Sequence, residues 1–151
     1  MPNKPNNVEF FHEGCSVKFS CTITEQDINL FAELSGDFSP NHVDEAFMKK
    51  TKFGKRIAHG ALLVAYMSRA SSMIIDQYPL EDGDNTPVSL GYDRIRFIKP
   101  VFIDDRITLS YEVEKYDRSK AKSYARITIN NQNNELVAVA THILKWVPDL
   151  N

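Results

Sequence analysis

The segment "GALLVAYMSRASSMIID" (60–76) constrains this chain more than any other. From Ala61 to Met67 it carries no charge on any face, and Arg69 is the only charge between Gly60 and Ile75. A helix that is apolar nearly all round has to be wrapped by other structure. The wrapping can come from the chain that follows. "RITLSYEVEKY" alternates Ile107, Leu109, Tyr111 and Val113, "KSYARITIN" alternates Ala125, Ile127 and Ile129, and "ELVAVATHILKWV" alternates throughout. A period of two marks a strand with one buried face. "VSLGYDRIRFI" is strand-like as well, with Gly91 suggesting a bulge or a close approach. "NNQNN" (130–134) reads as the hairpin connection between the last two strands. An antiparallel sheet that buries one face needs a partner on that face, and only the 60–76 helix is apolar enough. The expected class is α+β, with an antiparallel sheet wrapped around one long central helix.

The first half is less regular. "CSVKFSCTI" alternates and reads as a strand with Cys15 and Cys21 on one face, beside Val17, Phe19 and Ile23. Along a strand those two thiols stand roughly 20 Å apart, far beyond a disulfide span. They are expected to be free in a reducing cytoplasm, without a metal between them. Thr24 is placed to cap a helix, with Asp27 in the capping-box position. Ile28, Phe31 and Leu34 then share one face, and Gly36 ends the helix. "DEAFMKK" predicts a short helix with Phe47 and Met48 inward. "YPLEDGDNTP" (78–87) predicts a loop. Residues 1–7, rich in Pro and Asn, predict a loose arm.

A chain of 151 residues fits one domain, 1–151. Its 18 Lys+Arg against 20 Asp+Glu leave a formal net charge of -2, which offers nucleic acid no basic excess. The start has no apolar central region, and the most apolar run is too short to span a bilayer. A cytoplasmic protein without a membrane partner is expected.

Two places could carry chemistry. "GDFSPNH" (36–42) puts Asp37 and His42 on a turn stiffened by Pro40. A carboxylate and an imidazole converging there could hold and deprotonate a water; alternatively Asp37 caps a turn and His42 is a partly buried surface residue. At "AHGALL", Gly60 opens the long helix. Unpaired N–H groups and a partial positive charge suit a developing oxyanion there, or the glycine simply permits a tight start.

Taken together, "LSGDFSPNHVDEAFMKKTKFGKRIAHGALLVAYMS" resembles the MaoC-like, (R)-specific enoyl-CoA hydratase family, and "GYDRIRFIKPVFIDDRITLSYEV" continues the likeness more weakly. The residues that carry it are Asp37, Pro40, His42, Asp44, Phe53, Gly54, Ile57, His59 and Gly60. The resemblance implies the hot-dog fold, in agreement with the sheet and helix already expected, and a homodimer or larger homo-oligomer. It implies hydration of a trans-2-enoyl thioester of coenzyme A or acyl carrier protein to the (3R)-hydroxyacyl thioester, or the reverse dehydration. Asp37 and His42 would act on the water, and the Gly60 N–H would hold the thioester oxygen. No metal or other cofactor would be needed. This sequence has Ser39 where the family usually has Asn, and Asn41 where an aliphatic residue is usual.

Ser39, Asn41, His59 and Arg94 are the candidate substrate contacts. Arg94, with Arg96 and Lys99, could meet coenzyme A phosphates, although charges on strands are mostly solvated. His59 is expected to shape the helix start, His142 to be structural, and Tyr66 and Met67 to lie in the core. Two other functions fit the same fold: a non-catalytic acyl-thioester binder or partner subunit, and an acyl-CoA thioesterase.

Overall fold

Thr24 starts the first helix as its sequence predicts. Its hydroxyl accepts from the Asp27 N–H at 3.1 Å, and its own N–H donates to the Asp27 carboxylate at 2.8 Å. Two of the four orphan donors of the helix start are thereby satisfied. The computed structural model describes residues 8–83 and 85–150; the expected arm at 1–7 lies outside them. Strand β1 (Ser16–Thr22) precedes this helix, α1 (Glu25–Ser35), which ends at Gly36 in the left-handed region with φ 78°. Two single-turn helices follow, α2 (Pro40–Val43) and α3 (Glu45–Met48). Pro40 sits in the first turn of α2, where its missing N–H costs nothing. Asp44 caps α3 by accepting from the Phe47 N–H at 2.8 Å.

The long helix is α4 (Gly60–Gln77). Four strands come after it: β2 (Asn85–Phe97), β3 (Arg106–Asp117), β4 (Lys122–Asn130) and β5 (Leu136–Pro148). With β1 they form one five-stranded sheet in the order β1-β3-β4-β5-β2, every pairing antiparallel. The inward residues of β3, β4 and β5 (Ile107, Leu109, Tyr111, Ile127, Ile129, Val137, Leu144) lie buried in one core with Leu63, Met67 and Ile74 of α4. Each such side chain contributes about 1.5–3 kcal/mol by leaving water. This arrangement of helix and curled sheet is the hot-dog fold.

Several residues depart from expectation. Leu34 is 87% exposed and Phe47 is 49% exposed, whereas their neighbours Ile28 and Met48 are buried. A four-residue helix turns too fast to bury two successive side chains, and Met48 takes the inward position. Helix α4 is not enclosed on all sides by its own chain. The sheet covers Leu62, Leu63, Met67, Ala70, Ser71 and Ile74, while Ala61, Ala65, Ser68 and Ser72 remain exposed. One sheet meets only one side of a helix; the residues left outside are these small ones together with the polar Arg69, Asp76 and Gln77. Strand β2 begins at Asn85, inside the segment expected as a loop; Pro87 is tolerated there because β2 is an edge strand.

Two irregularities bend β2, one between Ser89 and Gly91 and one between Asp93 and Arg96. The second holds Arg94 at φ 54°. His142 on β5 is fully buried and bonded on both ring nitrogens, to the Tyr111 hydroxyl and the Ser89 hydroxyl, each at 2.8 Å. Burial pushes its pKa down to about 4. Cys15 and Cys21 are free thiols. Among the described residues no helix is long and apolar enough to cross a membrane.

Candidate active site

Residues 36–43 and 56–60 meet at the start of α4. The Ile57 N–H donates to the Asn41 carbonyl at 3.0 Å and joins them, while the Ala58 N–H ties the second segment to the Val101 carbonyl at 2.7 Å. The His42 ring is fixed from the same segment. Its Nδ1 lies 2.7 Å from the Ile57 carbonyl oxygen. A carbonyl only accepts, so Nδ1 carries the proton and Nε2 keeps its lone pair. That Nε2 faces the Asp37 carboxylate at 3.9 Å. The gap is too long for a direct hydrogen bond, and one oxygen about 2.8 Å from each group fits between them.

Asp37 is held from its own turn. Its Oδ1 accepts from the Ser39 hydroxyl at 2.6 Å and from the Ser39 N–H at 3.1 Å. These two bonds, the hydroxyl first, keep the carboxyl below the usual carboxylate range, although the side chain is 45% exposed. Oδ1 is thereby occupied and Oδ2 is left towards His42.

His59 braces the pair. Its Nε2 donates to the Asp37 backbone carbonyl at 3.0 Å, and its ring stacks on His42 with centroids 3.8 Å apart and planes 25° apart. Burial lowers its pKa, so the ring stays neutral beside His42. Nδ1 of His59 is buried without a partner. Asp37, His42 and His59 offer donor atoms within 4.8 Å of one another. Near-parallel imidazoles cannot both aim lone pairs at one ion, and Nε2 of His59 is committed to a carbonyl. The geometry suits acid–base work better than chelation.

A groove of about 390 Å³ opens beside this pair, lined by Asn41, His42, Phe53, Ile57, Gly60 and Phe97 among others. Gly60 is the first residue of α4, so its N–H is one of the helix's free donors. The Phe97 ring packs directly on its Cα, in the space a Cβ would fill. Glycine is therefore required for this contact as well as for access to the N–H. The structure brings Asp37, Ser39, Asn41, His42, His59 and Gly60 together. Arg94 is exposed on its bulge and does not line the groove.

Arg56 was not among the expected site residues. It is 7% exposed, and its Nε donates to the His42 carbonyl at 2.7 Å. Its two terminal nitrogens reach Glu25 at 2.6 Å and Asn29 at 2.9 Å, both on α1. Nothing in the local pattern marks a cation as buried. Its place between two apolar motif segments was the only signal. Phe97 was likewise missed, since it reads as an ordinary strand residue.

The fold and the polar site at its helix start define a hot-dog protein with an acid–imidazole pair. The sequence matches the MaoC-like domain over residues 11–135, and the chain belongs to that family. It is similar to an (R)-specific enoyl-CoA hydratase of Rhodospirillum rubrum, 47% identical over 60 residues that cover 40% of this chain and 42% of the relative. A 3-hydroxyacyl-thioester dehydratase Z of Mycobacterium tuberculosis is 33% identical over 130 residues, 83% of each chain. The solved structure of the (R)-hydratase of Aeromonas caviae involved in PHA biosynthesis superimposes with a TM-score of 0.77 at 28% identity, covering 89% of this chain and 96% of that one. The relatives so named are hydro-lyases.

Proposed function

We infer that this chain is a hydro-lyase that adds water across the double bond of a trans-2-enoyl thioester to give the (3R)-hydroxyacyl thioester, and removes it in reverse. The observation that carries the reading is the 3.9 Å gap between the Asp37 carboxylate and the bare Nε2 of His42. A water held there donates one hydrogen to each group. Its oxygen attacks the β carbon while one of the pair takes up its proton, and a proton from the pair is handed to the α carbon. Electron density moves onto the thioester oxygen. The Gly60 N–H at the head of α4 stabilises that charge.

The thioester supplies the activation, so the reaction calls for no metal and no other cofactor. The Ser39 hydroxyl takes the orienting role on Asp37, which favours a working site over a silent binder. The (3R) configuration, the carrier and assembly as a homodimer or larger homo-oligomer rest on the family likeness.

The test is loss of conjugated absorbance from enoyl-CoA substrates of several chain lengths. Asp37→Asn and His42→Ala should each cost about 10²–10⁴-fold in kcat, with unchanged circular dichroism. Near wild-type rates in either variant would refute the pair. Release of free thiol from saturated acyl-CoA, without hydration, would make the chain a thioesterase.

A further inference from the structure

One polar side chain in the catalytic groove has no partner. Asn41 lines that groove beside Phe53, Ile57, Leu63, Phe97 and Val101, so its surroundings are apolar. The other polar side chains there are engaged. His42 is bonded to the Ile57 carbonyl and faces Asp37, and Lys99 pairs with Glu135. The nearby Ser39 hydroxyl is held by Asp37. The Asn41 carboxamide bonds to nothing among the described residues. It is half-buried, and neither its oxygen nor its nitrogen is sealed from solvent.

Its backbone is fixed nonetheless. The Asn41 carbonyl accepts from the Ile57 N–H at 3.0 Å, and the next carbonyl, of His42, accepts from Arg56 at 2.7 Å. Neighbouring Cα atoms lie about 3.8 Å apart. The carboxamide therefore stands a short, fixed step from the imidazole that acts at the β carbon. A plain alkyl chain laid along this groove strips water from the amide and offers no bond in exchange, which weakens its binding. An oxygen on the chain at that point restores the lost hydrogen bond. A carboxamide both donates and accepts, and a hydroxyl can meet either half of it.

Resting on the hydro-lyase reading above, we propose that Asn41 is a specificity-determining residue, and that the preferred substrate is an enoyl thioester with a hydroxyl on the first carbons beyond the β carbon. The apolar walls accept the rest of the acyl chain, and the amide selects for the oxygen. A site built to bond a polar group discriminates against the chain that lacks it, because its own amide is then left unpaired.

The experiment measures kcat/KM for the trans-2-hexenoyl thioester and for its 4-hydroxy and 5-hydroxy counterparts, all on one carrier, in the wild type and in Asn41→Leu. Leucine keeps the shape of asparagine without its hydrogen bonds. The wild type should favour one of the hydroxylated chains by about tenfold. In the variant the plain chain should gain and the hydroxylated chain should lose, so that the preference disappears. A wild type that prefers the plain chain, or that shows no preference, overturns the proposal before any variant is made. So does a variant in which all three values move together, as they would if Asn41 only held the fold or touched the carrier. Turnover of the plain chain without selectivity leaves the hydro-lyase standing and removes the hydroxylated substrate. If no thioester turns over, calorimetry with the same three compounds decides separately. About tenfold tighter binding of a hydroxylated chain, lost in Asn41→Leu, upholds the contact, and equal binding sinks it.

Discussion

Replacing Arg56 with Met keeps the length of its stem and removes the guanidinium. Three acceptors then lose their donor. The buried one is the His42 carbonyl, bonded at 2.7 Å, and leaving it unsatisfied costs about 1–3 kcal/mol. The Asn29 bond adds roughly 0.5–1.5 kcal/mol. The Glu25 side chain is 62% exposed and returns to water, so its ion pair adds about 0–1 kcal/mol. The total is about 3 kcal/mol. In a chain of this size that lowers Tm by roughly 6–12 °C. Urea melts give the free energy directly. Below the transition the folded variant should still lose about tenfold in kcat, because the His42 peptide is no longer tied to α1, while KM changes less. Arg56→Lys restores the charge but not the three-way fork, and should recover only part of both losses. A Met variant within 0.5 kcal/mol of wild type, with normal kcat, would show that the guanidinium neither holds the site nor supports the fold.

Other substitutions probe separate features. Ser39→Ala removes the stronger of the two bonds that depress the Asp37 pKa, so the acidic limb of the pH–rate profile should move to higher pH; an unmoved limb would assign it to another group. Ser39→Asn should preserve or raise kcat in the same hydration assay. His142 stays neutral in the fold to about pH 4, whereas in the unfolded chain it charges near 6.5. The unfolded state therefore binds more protons as pH falls from 6.5 to 4, and stability should drop by about 3 kcal/mol across that window. A thermal melt series at those pH values, in wild type and His142→Gln, checks it: the variant should show a flatter curve.

The central helix and the strands were legible because their signals are local. A run without charge and alternations of period two depend only on neighbours in sequence. The pairing of Asp37 with His42 was legible too, since Pro40 and a short stretch of chain hold both. What escaped depends on long-range contact. Arg56 is buried only because Glu25 and Asn29 of α1 arrive beside it, and no pattern around residue 56 encodes their arrival. Arg94 looked like a phosphate contact on a regular strand, and the irregularity in β2 turns it to solvent. Leu34 kept the helical period of Ile28, but lies past the edge of what α1 packs against.

The hold of Ile57 on His42 has a consequence for motion. Its carbonyl fixes the proton on the imidazole, and the chain that leaves it becomes α4 at Gly60. The base and the charge-stabilising donor are therefore measured off the same short length of backbone, like two marks on one ruler. When the sheet breathes or α4 shifts against it, both marks travel together. Sheet packing sets where the site sits, and covalent geometry sets its span. A substitution that loosens the core should lower stability well before it separates the two groups.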